Sequence, residues 1–119
     1  MATQKQDGLF TDTALSAVDL RGSEFLFCTR EADGTISVCG ADEKIAGVIS
    51  EGKDVGLHSS FNTGGGWLKV IAGGPIAIND PVKSDAQGRG VNGATNMFGY
   101  AKSAASAAGV FVEVVPDRV

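Results

Sequence analysis

The stretch Phe25-Leu26-Phe27-Cys28-Thr29-Arg30-Glu31-Ala32-Asp33-Gly34-Thr35-Ile36-Ser37-Val38-Cys39 decides the fold class. Two apolar, β-branched runs flank an Asp-Gly pair. Asp and Gly tolerate the positive φ angles of tight turns whose twist matches that of antiparallel strands, so the segment predicts a β-hairpin. With Asp33 and Gly34 as a two-residue loop, Cys28 falls opposite Cys39 and Thr29 opposite Val38. Period-2 alternation then places Phe25, Phe27, Thr29, Ile36 and Val38 on one face, the core face, and both cysteines on the other.

The same texture continues outward from the hairpin. Short apolar runs at 25–30, 35–39, 45–50, 67–72, 76–78 and 110–115 are punctuated by Gly and Asp, as strands at close spacing are. A second turn, Asp85-Ala86-Gln87-Gly88, follows the strand-like Val82-Lys83-Ser84, and Pro75 and Pro81 assign that region to a sheet rim. The Ala-rich segment 102–108 supports one helical turn at most, because so short a run is not stable alone. With 17 Gly and 7% aromatics in 119 residues, the chain has the turns and small side chains of a β domain and the length of one core. No internal repeat is legible. The expectation is an all-β fold, a small β-barrel or β-sandwich-like domain of short antiparallel strands over 18–119, preceded by an extended arm over 1–17.

Charge and hydropathy exclude several classes of partner. The formal charge of −4 argues against nucleic acid, whose binding is driven by clustered Lys and Arg. No run approaches the ~20 apolar residues of a membrane span, and the polar N-terminus shows no secretory h-region, so synthesis in the cytoplasm is expected.

Candidate chemistry is sparse. His58 is the only histidine, and its neighbours Ser59 and Ser60 lack triad geometry, since adjacent strand residues point to opposite faces. Cys28 and Cys39 with His58 give three soft ligands at most, in no zinc spacing. In a reducing cytosol the two thiols act as small hydrophobes rather than a disulfide. Gly64-Gly65-Gly66 is followed by Trp67 and not by Gly-Lys-Ser/Thr, so the loop does not cradle phosphate. Asp42-Glu43 and Asp80 are solvated turn residues. Neither catalysis, nor a metal, nor a cofactor is expected. Trp67 is read first as a core residue; its alternative, shared with Leu9 and Phe10 in the arm, is contact with a neighbouring protein surface.

The order of these pieces resembles the small head-decoration, or capsid-cement, proteins of tailed phages. The resemblance runs from Val18-Asp19-Leu20-Arg21-Gly22 through the Asp33-Gly34 hairpin, Ile45-Ala46-Gly47-Val48-Ile49 and Ile76-Ala77-Ile78-Asn79-Asp80-Pro81-Val82. It continues with Ser84-Asp85-Ala86-Gln87-Gly88-Arg89, Phe98-Gly99-Tyr100-Ala101 and Gly109-Val110-Phe111-Val112-Glu113-Val114. Two features depart from the family pattern: Asn79-Asp80 stands where Gly-Asp is common, and the triple-glycine loop is additional. The resemblance implies a structural protein on the capsid exterior, bound to the major capsid protein, often as a homotrimer, with no cofactor. Two other classes fit less well. A lipoyl or biotinyl carrier would modify Lys44, but the comparable Asp-Xaa-Val step comes after Lys44 instead of before it. A carbohydrate-binding domain would display more aromatics than one Trp and one Tyr.

Overall fold

In the computed structural model, which describes residues 10–117, the chain forms ten strands and no helix. They are β1 (Phe10–Leu15), β2 (Phe27–Arg30), β3 (Ile36–Val38), β4 (Gly47–Glu51), β5 (His58–Gly64), β6 (Leu68–Ile71), β7 (Pro81–Ser84), β8 (Gly90–Asn92), β9 (Gly99–Ala101) and β10 (Phe111–Pro116). Two antiparallel five-stranded sheets result, ordered β1-β5-β4-β2-β3 and β6-β10-β9-β7-β8. They pack in a sandwich-like body, as the composition predicts.

The two orders are the same plan carried out twice, a repeat that the sequence conceals. Its registers correspond pair by pair: Phe27↔Val48 with Pro81↔Tyr100, Cys28↔Val38 with Val82↔Asn92, and Ala14↔Ser59 with Val70↔Val112. Each sheet curls so that a parallel bridge joins the end of its first strand to its last, Ser16↔Ile36 in one and Ala72↔Gly90 in the other. Residues in the left-handed region also recur at matching places. Phe25 (70°) matches Asn79 (72°), Gly34 (89°) matches Gly88 (78°), Asp42 (61°) matches Asn96 (54°), and Gly56 (82°) matches Gly109 (89°).

The hairpin of β2 and β3 exists, with a register one residue from that expected. Arg30 pairs with Ile36 and Cys28 with Val38, while Glu31 N–H donates to Thr35 O (2.7 Å) and Gly34 N–H to Glu31 O (2.9 Å). The loop is therefore three residues, Ala32 to Gly34. A two-residue type I′ turn needs positive φ at both central positions, and only Gly34 has it, so a right-handed turn closed by a left-handed glycine forms instead. Asp33 favours this outcome by accepting from Thr35 N–H (3.0 Å) and Thr35 Oγ1 (2.6 Å), bonds that hold its carboxyl below the usual carboxylate range.

That one-residue shift inverts the face assignment. Cys28 and Ile36 point into one cluster with Ala14, Leu20, Ile49 and Phe61, whereas Phe27 and Cys39 point the other way, into the cluster shared with the second sheet. Cys28 and Cys39 thus lie on opposite faces and are not opposed across the hairpin; both are free and buried. The second turn repeats the motif: Asp85 N–H donates to Arg89 O (2.8 Å), and Asp85 Oδ1 accepts from the N–H groups of Gln87 (2.8 Å) and Arg89 (2.9 Å).

Other expectations are corrected. The arm over 1–17 does not extend that far: Phe10 to Leu15 is β1, paired along its length with β5, and only the part up to Leu9 lies outside the described residues. Strand β7 is not at a rim, since β9 and β8 flank it; Pro81 is tolerated as its first residue. Segment 102–108 has no helical turn, and Ala105 is instead buried in an isolated bridge with Ile76, the only pairing made by the run 76–78.

The two halves meet through the outward face of the first sheet. Phe27 and Phe98 rings lie 5.3 Å apart, and Phe25 meets Phe111 edge to face at 5.0 Å. Phe27 N–H donates to Gly88 O (2.7 Å), Ile71 N–H to Phe25 O (3.0 Å), and Asn96 Nδ2 to Asp42 O (2.6 Å). Fully burying Phe27 and Phe98 contributes roughly 1.5–3 kcal/mol each, so the halves form one folding unit.

Candidate functional site

Where β5 passes into β6, the chain must cross from one sheet to the other. Gly64, Gly65 and Gly66 make that crossing, with Gly65 at φ 88°. The crossing leaves a groove of about 550 Å³ lined by Phe10 and Thr63 on one side and Trp67, Val115 and Pro116 on the other. Phe10 is held at its rim by pairing with Gly64 and by Thr63 Oγ1, which donates to Phe10 O (3.3 Å).

Two of the three residues singled out from sequence come together here. Phe10 is 66% exposed and Trp67 54% exposed, so Trp67 does not fill the core. Strand alternation explains its position: Leu68 and Val70 point inward, which turns Trp67 and Lys69 outward. Leu9, the third, lies outside the described residues.

The surface extends beyond those residues along the outward face of the second sheet. Pro81 pairs with Tyr100 and Tyr100 with Val115, while Trp67, one residue before Val114's partner Leu68, stands level with Val115. Tyr100 and Val115 are both partly exposed. Lys102 carries its ammonium 4.6 Å from the centre of the Trp67 ring, a cation–π contact that restrains the exposed indole. Tyr100 and Val115 are the residues that sequence reasoning missed. The available signal was the small-large-small order Gly99-Tyr100-Ala101, in which the small residues take the crowded inner side.

The groups considered for chemistry are dispersed. His58 is exposed at the start of β5, and Ser59 is buried beside it, sharing a hydrogen bond with Ser16 Oγ (2.6 Å) and accepting from Lys53 N–H (2.8 Å). Burial pushes the Cys28 thiol up to about 12 and that of Cys39 to about 11, so both are protonated at neutral pH. Lys44 is exposed, and its carbonyl accepts from Thr29 Oγ1 (2.8 Å). Among the described residues no three of His, Cys, Asp and Glu gather at metal-binding distance. The exposed aromatic face suits adhesion between proteins: rigid, amphipathic rings at low entropic cost beside cationic side chains.

No protein-family model matches the chain, and no curated protein matches it. Among solved structures, the N base of the head fiber protein gp8.5 of bacteriophage phi29 shares the fold, with a TM-score of 0.70 and 23% identity over 92% of this chain and 94% of that one.

Proposed function

We propose that this chain is a structural protein of a tailed-phage virion that decorates the outside of the head and stabilises it by binding the major capsid protein, in many copies and as a self-associating unit such as a homotrimer. The observation that carries this reading is the fold shared, over nearly the full length of both chains, with the base of a phage head fiber protein. The sequence signals that resemble decoration proteins support it independently. Synthesis in the host cytoplasm followed by addition to the shell, without cofactor or catalysis, completes the proposal.

The physical logic is repetition. A domain of this size offers a specific partner about 800 Å², enough for one contact but modest for restraining a strained shell. Symmetry multiplies that contact over every equivalent site, so the shell gains stability as the sum of many small free energies. Cosedimentation tests the proposal: purified chain is mixed with expanded, empty capsids of the major capsid protein encoded with it. Saturable binding at a fixed ratio to the capsid subunit is expected. No binding at micromolar concentrations, with the chain shown to be folded, would refute it.

A further inference from the structure

The two sheets follow one plan, yet only one outward face is covered. On the first sheet the cross-strand row Phe27, Val48 and Asn62 faces the second half, and Phe27 and Val48 are buried. Its counterpart on the second sheet is the row Pro81, Tyr100 and Val115, continued by Trp67. Among the described residues nothing covers Tyr100 (42% exposed) or Val115 (38%). Charge is also divided unevenly: residues 1–66 carry ten Asp and Glu against five Lys and Arg, and residues 67–119 carry four against five. The aromatic face is flanked by Lys69 and Lys102 with Glu113 between them, so its charged rim carries a net positive charge and complements the acidic half.

We infer that the uncovered face receives the first half of a second copy, head to tail, in the relation by which the chain's own second half covers its first sheet. Within the chain, Val48, Ser50 and Asn62 share a groove with Trp67, Leu68 and Lys69. Advanced by one repeat, Tyr100, Lys102 and Val115 of one copy meet Thr11, Asp12 and Thr13 of the next. This sets the Lys102 ammonium beside the Asp12 carboxylate, which is solvent-accessible and 3.4 Å from Arg30. Such a contact is heterologous, so its repetition generates a ring or an open chain.

One contact inside the chain does not carry over, and it distinguishes the two interfaces. Phe27 N–H donates to Gly88 O within the chain, but Pro81 stands in Phe27's place and has no N–H. The corresponding acceptor, Gly34 O, already takes a bond from Arg30 Nη1 (3.0 Å). The contact between copies therefore rests on side chains and charge, and is reversible and salt-sensitive where the contact between halves is permanent.

The inference deepens the proposed function by naming the surface through which copies associate, but its test needs no capsid. Sedimentation velocity of the full chain up to 500 µM, a range chosen as roughly that of a weak specific contact, is expected to show association that weakens between low and high salt. Tyr100→Ser, Lys102→Glu and Asp12→Lys should each raise the dissociation constant about tenfold or more. The double variant K102E/D12K should restore association. Circular dichroism serves as the control that each variant is folded. A monomer throughout the range overturns the inference, as does association that Tyr100→Ser leaves unchanged or a double variant no tighter than the singles. Capsid binding that fails while association follows this pattern would instead refute the proposed function alone.

Discussion

Gly99 offers a sharp test of the repeated architecture. It lies in β9 where the backbone of β10 passes so close that a Cβ would sit 1.9 Å from Val115 O, 2.7 Å from Val115 C and 2.8 Å from Pro116 Cα. Gly47 is its counterpart in β4, where a Cβ would lie 2.4 Å from Asn62 O. Neither obstacle is a flexible side chain, so alanine requires the paired strands to separate by on the order of 1 Å. Overpacking of this kind costs about 1–3 kcal/mol and sometimes more; Gly99→Ala, the tighter site, belongs at or above 3 kcal/mol and Gly47→Ala near 2. For a domain of this length that corresponds to roughly 10 °C or more in Tm for Gly99→Ala. Gly74→Ala is the control, because nothing lies within 4 Å of its Cβ and its φ is not left-handed; it should leave Tm within a few degrees. Calorimetry or far-UV circular dichroism is the appropriate readout, since the exposed Trp67 reports poorly on unfolding. A Gly99→Ala protein melting with the wild type would refute the pairing of β9 with β10 as described.

Three further outcomes follow from the interior. Ser59→Ala removes the acceptor of the part-buried Lys53 N–H and one partner of the Ser16 hydroxyl, which keeps its bond to Leu57 O, and should cost about 1–2 kcal/mol in urea denaturation. Removing residues 1–16 deletes β1 and bares the edge of β5, so the truncated chain should melt well below the full-length protein or aggregate, which light scattering during heating will show. Burial raises Cys28 to about 12, so above about pH 9 the unfolded chain gives up its thiol proton before the native one does. Stability therefore falls as pH rises from about 9 towards 12, by about 1.4 kcal/mol per unit for this thiol, and Cys28→Val, which installs the residue found at the equivalent Val82, should make pH-resolved melting curves shallower, leaving between about pH 9 and 11 the part that the raised Cys39 thiol contributes.

The sequence exposed the kind of fold more readily than its arrangement. Asp33-Gly34 and Gln87-Gly88 announce turns because a left-handed residue is a local requirement, and local requirements are written locally. Register is not local: whether the loop holds two residues or three depends on whether Asp33 takes positive φ, and its bonds to Thr35 decide against it. The duplication was illegible for a related reason. Its matched positions keep backbone geometry rather than side-chain identity, so glycine recurs at 34 and 88, 47 and 99, and 56 and 109, while Phe25 answers to Asn79 and Val48 to Tyr100. Strand β1 was hidden because it is an edge strand with a single buried residue, Ala14, and so lacks an apolar alternation.

At the site, Phe10 and Trp67 were legible as large apolar residues in polar surroundings, and their meeting across the glycine loop was not, because it depends on the crossing between sheets. Val115 joins them through the pairing of β10 with β6, distant in sequence, and Tyr100 through the pairing of β9 with β10, whose register no local pattern encodes.

Decoration of the capsid exterior is tested most simply by a difference map between electron cryo-microscopy reconstructions of expanded capsids prepared with and without the chain. Added density is expected on the outer surface at symmetry-repeated positions, into which the two-sheet body fits. Capsids whose reconstructions are identical after saturating incubation with folded protein, or added density confined to the interior, would contradict it.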